Sequence, residues 1–159
     1  MGRKRDDNEK IKTTRNMEEK NEMKQYHLNF RGYWRDVNKG GIPTVAGVYL
    51  VYRCVYNTSQ DTVRLNEIIY IGQSENVHDR IANHEKASQF SAKLHKGEEL
   101  CYACAEVSII DLSVVENALI FAQKPVLNDE LKDSFKYGKV AIKADGKCAC
   151  LTYTDYSIS

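Results

Sequence analysis

The chain has no apolar run near the roughly eighteen residues that a helical bilayer span requires, which argues against a transmembrane helix. It also lacks the apolar stretch of a secretory leader. Met1-Gly2-Arg3-Lys4-Arg5 gives way at once to acidic and polar residues, so the expected compartment is the cytoplasm. A basic excess is missing too: 23 Lys and Arg face 22 Asp and Glu, for a formal net charge of +1. Many nucleic-acid-binding domains carry such an excess, but a balanced total can hide a local patch. Basic residues gather at the start of the chain, at Arg31 and Arg35, and at Lys132, Lys136, Lys139 and Lys143. Charge therefore neither supports nor excludes nucleic acid as a partner. Internal repeats and low-complexity segments are absent, and tryptophan occurs once, at Trp34.

What is present fits one compact domain. A chain of 159 residues is long enough for a single core and short for two. Hydrophobic content of 42% and charged content of 28% are ordinary for a globular protein. The five cysteines, Cys54, Cys101, Cys104, Cys148 and Cys150, read as free thiols in a reducing compartment. Cys101-x-x-Cys104 with Cys148-x-Cys150 has zinc-site spacing. On a strand, however, residues 101 and 104 point to opposite faces, and a buried cysteine also serves as a small apolar residue.

Residues 1–24 are polar and mixed in charge, and bury too little apolar surface to offset ordering entropy, so a flexible charged tail is expected there. Residues 25–41 hold the aromatic run from Tyr26 to Trp34. That run suits packing on the core, and its mixture of aromatics and arginines also suits base stacking. Gly47–Tyr56 reads as a strand apolar on both faces, as a covered central strand should be. Asn57–Thr62 is a hairpin turn and Glu67–Gly72 the returning strand. Ser74 or Asn76 can cap a helix over about 77–90, with Val77 and Ile81 inward. A third strand covers about 100–110. Ser113-Val-Val-Glu116 matches a capping box for a helix ending near Lys124-Pro125. Residues 131–159 read as an extension: Val140–Ile142, a turn at Asp145-Gly146 and Cys148–Tyr153 form a terminal hairpin.

Across residues 42–130 the ordered elements resemble the GIY-YIG endonucleases, a family that cuts DNA with one divalent metal ion. The first triad reads Gly47-Val48-Tyr49, with valine in place of isoleucine, and the second Tyr70-Ile71-Gly72. Arg80 follows on the next helix, Glu116 on a later one, and Pro125-x-x-Asn128 closes the set. Arg80 with His84 is most similar to the restriction-enzyme branch. The resemblance implies an α+β fold: a small three-stranded, mostly antiparallel sheet flanked by helices, here with the C-terminal hairpin added.

It also implies roles, each set beside a plainer one. Phosphodiester hydrolysis needs a deprotonated water, a stabilised phosphate and a neutralised leaving oxygen. Tyr49 would activate water if a nearby cation lowered its phenol from the usual pKa of about 10. His84, ordinarily near pKa ~6.5, could take or relay that proton instead. Tyr70 would bond the water or the phosphate. Either tyrosine could equally be a packing aromatic. Arg80 and His84 are four residues apart, so on one helix they share a face. At about 100° per residue both border the stripe marked by Val77. There Arg80 can offer its donor fork to the phosphate, or both can simply face solvent. Glu116 would hold one Mg²⁺ or Mn²⁺, which commonly takes few protein ligands, unless it serves the capping box. Gly72 would let the backbone approach the substrate or leave the strand sharply, with Gln73 and Ser74 beside it as substrate contacts. Asn128 would tie the chain to the site, touch substrate or form a turn. The expected partner is double-stranded DNA, and a homodimer would let one site serve each strand. The alternative is a nucleic-acid-binding or regulatory module on the same fold that does not cut.

Overall fold

The computed structural model describes residues 23–159, so the expected tail, apart from its last two residues, lies outside the described region. The chain forms strands β1 (Lys24–Arg35), β2 (Gly47–Asn57), β3 (Thr62–Ser74), β4 (Glu99–Glu106), β5 (Val140–Gly146) and β6 (Asp155–Ile158). Its helices are α1 (Val77–Ala82), α2 (Ala87–Ala92) and α3 (Leu112–Gln123), with 3-10 turns at Asp36–Gly41 and Ile109–Asp111. The strands make one curled, mixed sheet ordered β3-β2-β4-β1-β5-β6.

That sheet corrects the expected fold class, which had three strands flanked by helices. The three expected strands, β3-β2-β4, form only one half of a six-stranded sheet. The difference lies mainly in residues 24–35. Leu28 and Phe30 are buried while their neighbours are exposed, the period of two that a half-covered strand shows. The backbone of this aromatic segment does more than pack: it pairs antiparallel with β4 and parallel with β5. The terminal hairpin exists, but β5 pairs with β6 at residues 155–158 rather than with Cys148–Tyr153. Gly146, at φ 85°, turns the chain where a Cβ would strike the Phe30 carbonyl.

Both faces of β2 are covered, as its sequence suggested. Val48, Leu50, Tyr52 and Cys54 pack with Leu112, Val115 and Leu119 of α3 and with β1 and β5. On the other face Tyr49 and Val51 pack with Val77 and Ile81 of α1 and Phe90 of α2. Cys101 and Cys104 fall into these two opposite clusters, as strand alternation requires. The β2–β3 ladder slips twice. Val51 pairs with Tyr70 but Tyr52 with Ile68, so Ile69 is a bulge, and a second slip leaves Asn66 without a partner residue on β2. The bulged Ile69 thus joins Tyr70 on the same face as Tyr49. Among the described residues, no helix is long and apolar enough to cross a membrane.

Candidate active site

The site is built around the free edge of β3, the outermost strand of its half of the sheet. Tyr49 and Gly72 are cross-strand neighbours. A Cβ on Gly72 would collide with the Tyr49 ring and hydroxyl. A glycine at the end of the second triad therefore lets the phenol of the first lie across it. Gly47 has the same kind of reason: a side chain there would collide with the Ala105 carbonyl of β4.

Residues 77–90 do not form the single expected helix. α1 ends at Ala82, and α2 starts at Ala87. Between them His84 Nδ1 accepts the Lys86 backbone N–H at 3.1 Å, a local bond that competes with the helical ladder. Arg80 and His84 thus do not share a helix face. The turn instead swings the imidazole under the sheet, where Nε2 lies 2.7 Å from the Tyr49 hydroxyl. Its ring meets Tyr49 and Tyr70 edge-on, at 79° and 83°, and stacks beside Phe90. Burial, with the charge of Arg80, lowers His84 to a pKa of about 4, so the ring is neutral at pH 7. With Nδ1 accepting, its single proton sits on Nε2 and is donated to Tyr49. This tautomer makes His84 a donor to the phenol rather than a proton acceptor.

Tyr49 is sealed, at 1% exposure. Burial, then the neighbouring Tyr70, raise its pKa, while the charge and hydrogen bond of Arg80 oppose them. Arg80 also donates to Glu85 at 3.1 Å, a carboxylate exposed at the surface. Tyr70 is half-buried and lines an open cleft of about 300 Å³ with Lys86, Glu116, Asn128, Asp129, Glu130, Ile120 and Leu131.

Glu116 projects from α3 toward that cleft. The expected capping box does not form: Asp111 is the N-cap and Leu112 the first helical residue, which leaves Ser113 and Glu116 out of register for it. Ser113 lies 3.5 Å from the Gln73 side chain instead. The nearby Gln73 backbone N–H favours the ionised Glu116, but burial outweighs it and raises the pKa to about 7. Asn128 is buried and clipped onto the same edge, accepting the Ile71 N–H at 3.0 Å and donating to the Ile71 carbonyl at 2.8 Å. Ser74 closes the turn into α1 through the Asn76 backbone, and Asn76 rather than Ser74 caps that helix through the Asp79 N–H.

Comparison with protein-family models, curated proteins and solved structures finds no match to this chain.

Tyr70, Glu116 and Asn128 thus line one cleft, while Tyr49 and His84 form a bonded pair beside it with the Arg80 charge nearby. Gly72, Gln73 and Ser74 serve the site through space and backbone rather than through free side chains. The sequence reading missed Lys86, Asp129 and Glu130. Asp129 and Glu130 directly follow Asn128, so the chain order alone placed them near the site once Asn128 was singled out. Among the described residues, no three His, Cys, Asp or Glu side chains gather as ligands. A divalent ion would rest on Glu116 with water and substrate oxygens, an arrangement magnesium accepts. A half-buried carboxylate whose pKa desolvation raises fits that ligand set.

Proposed function

We propose that the chain is a GIY-YIG-type DNA endonuclease acting in the cytoplasm. The observation that carries this reading is the meeting of two strand tyrosines, an arginine, a histidine and a half-buried glutamate at one sheet edge. Tyr70 faces the cleft and holds the attacking water or the phosphate. Tyr49, behind it, takes the His84 Nε2–H and stays protonated, bracing the Tyr70 phenol while the nearby Arg80 charge opposes its burial. Arg80 keeps donors beyond its Glu85 contact for the phosphate as charge builds there. Glu116 would hold Mg²⁺ or Mn²⁺, which supplies charge stabilisation at the leaving oxygen. Asn128 fixes the edge against which these groups are set. A duplex substrate and a dimer with one site per strand follow from this reading.

The sealed Tyr49 hydroxyl favours a second reading, in which the same fold binds nucleic acid without cutting it. Incubation with supercoiled plasmid and Mg²⁺, with and without chelator, separates the two. The parent is expected to nick or linearise the plasmid only with metal. Glu116→Ala and Arg80→Ala are expected to keep the parent's circular dichroism and lose roughly 10²-fold or more in rate. Cleavage by both at the parent rate would overturn the assignment, and binding without cleavage by the parent would favour the second reading.

A further inference from the structure

Among the described residues, the cleft is lined by three carboxylates, Glu116, Asp129 and Glu130, and by a single cation, Lys86. A phosphodiester entering it needs opposite charge, and Lys86 is the one lining side chain that supplies it. The lysine is well placed to do so. Its backbone N–H is fixed on His84, and its side chain is 23% exposed. Its ammonium sits over the Tyr70 ring, 5.3 Å from the centroid, which holds the charge at the cleft wall by a cation–π contact. Its partner is Asp129, at 3.8 Å with a side chain 85% exposed. An ion pair so open to water is weak and easily exchanged. Asp129 itself follows Asn128, whose clip on Ile71 sets where the carboxylate stands.

We propose that Lys86 is the cleft's contact to a nucleic-acid phosphate, and that Asp129 is its placeholder, released when the phosphate arrives. This rests on the nuclease reading. The acidic placeholder then tunes affinity: a phosphate must displace it, so its removal should tighten binding while loss of the lysine loosens it. The two neighbouring residues are assigned opposite signs, which a merely structural role for either would not give.

The test uses the full chain carrying Glu116→Gln, so that binding is read without cleavage, and a fluorescent duplex of about 20 base pairs titrated across salt concentration. Adding Lys86→Ala is expected to raise Kd about 5- to 10-fold and to reduce the salt slope by about 1. Lys86→Arg should keep the parent slope, and Asp129→Asn should lower Kd at least about twofold. Thermal melts confirm that each variant folds, and alanine at 86 preserves the N–H that holds His84. An unchanged Kd and slope for Lys86→Ala, or weaker binding by Asp129→Asn, would overturn the proposal. If the parent still cleaves plasmid through Glu116 in that case, the nuclease reading stands and only the lysine assignment falls. A parent that neither binds nor cleaves duplex would overturn both.

Discussion

Single residues at this site are set by what surrounds them more than by what they are. Glu116 is an ordinary carboxylate in sequence, and burial alone moves its pKa to about 7. The sign of the consequence follows from linkage: the protonated form is favoured in the folded state, so its contribution to stability is full below the unfolded value of about 4.5 and lost as pH rises through about 7. Above pH 7 the ionised side chain costs stability, and a cation bound to it relieves that cost. Addition of Mg²⁺ at pH 8 is therefore expected to raise the parent's Tm by at least about 2 °C, and to leave Glu116→Gln unmoved. Equal shifts in both proteins would remove Glu116 as the ion's ligand. His84 shows the same dependence on surroundings. Spacing suggested a helical partner of Arg80, whereas the atom that decides its tautomer is a backbone N–H two residues on. Spacing alone could not reveal that bond.

At the scale of elements, the free edge of β3 is the organising surface. An exposed strand edge offers unpaired amides, and here three of its groups are occupied by the chain itself. Leu127 donates to the Ile69 carbonyl, and Asn128 bonds both backbone groups of Ile71. This edge was partly legible in sequence: the two triads, the hairpin between them and the order of Glu116 and Asn128 could all be read. The role of Asn128 could not, because a turn asparagine and an edge clip look the same in one dimension. The capping box at Ser113 misled for a related reason, since four-residue spacing does not say where a helix begins. Replacing Asn128 by alanine leaves two buried backbone groups of Ile71 without partners, which typically costs about 1–3 kcal/mol each. A loss of stability on the order of 2–4 kcal/mol is expected in urea unfolding, with activity reduced even well below the new midpoint. A variant as stable as the parent would show that the clip is dispensable.

The whole molecule depends on segments that the motif search left at its margins. β1 sits between β4 and β5, and Leu28, Phe30, Val140 and Ile142 share one cluster with the core of β2 and α3. The motifs span residues 42–130, but the apolar face that supports them extends beyond on both sides. A chain cut to residues 42–130 exposes that face and leaves β4 with one unpaired edge. It is expected to show no cooperative thermal transition, while residues 23–159 retain one. A cooperative transition in the shorter chain would make the outer strands accessories. The larger sheet escaped the sequence reading because β1 is rich in aromatic and polar residues rather than in β-branched ones, and because parallel pairing with β5 joins residues more than a hundred positions apart. Nothing local announces such a contact.

The extra residue in β3 separates two jobs that might have been tied together. Without Ile69 the ladder would run unbroken from Gly47 to Arg53, and Tyr70 would still stand opposite Val51. What would disappear is the carbonyl that receives Leu127, one of the bonds that moor the far wall, while the Asn128 clip on Ile71 would remain. The aim of the phenol and the width of the opening before it are thus independent variables. The mouth could be widened or narrowed for a different substrate by altering one residue's worth of slack, leaving the reactive groups where they are.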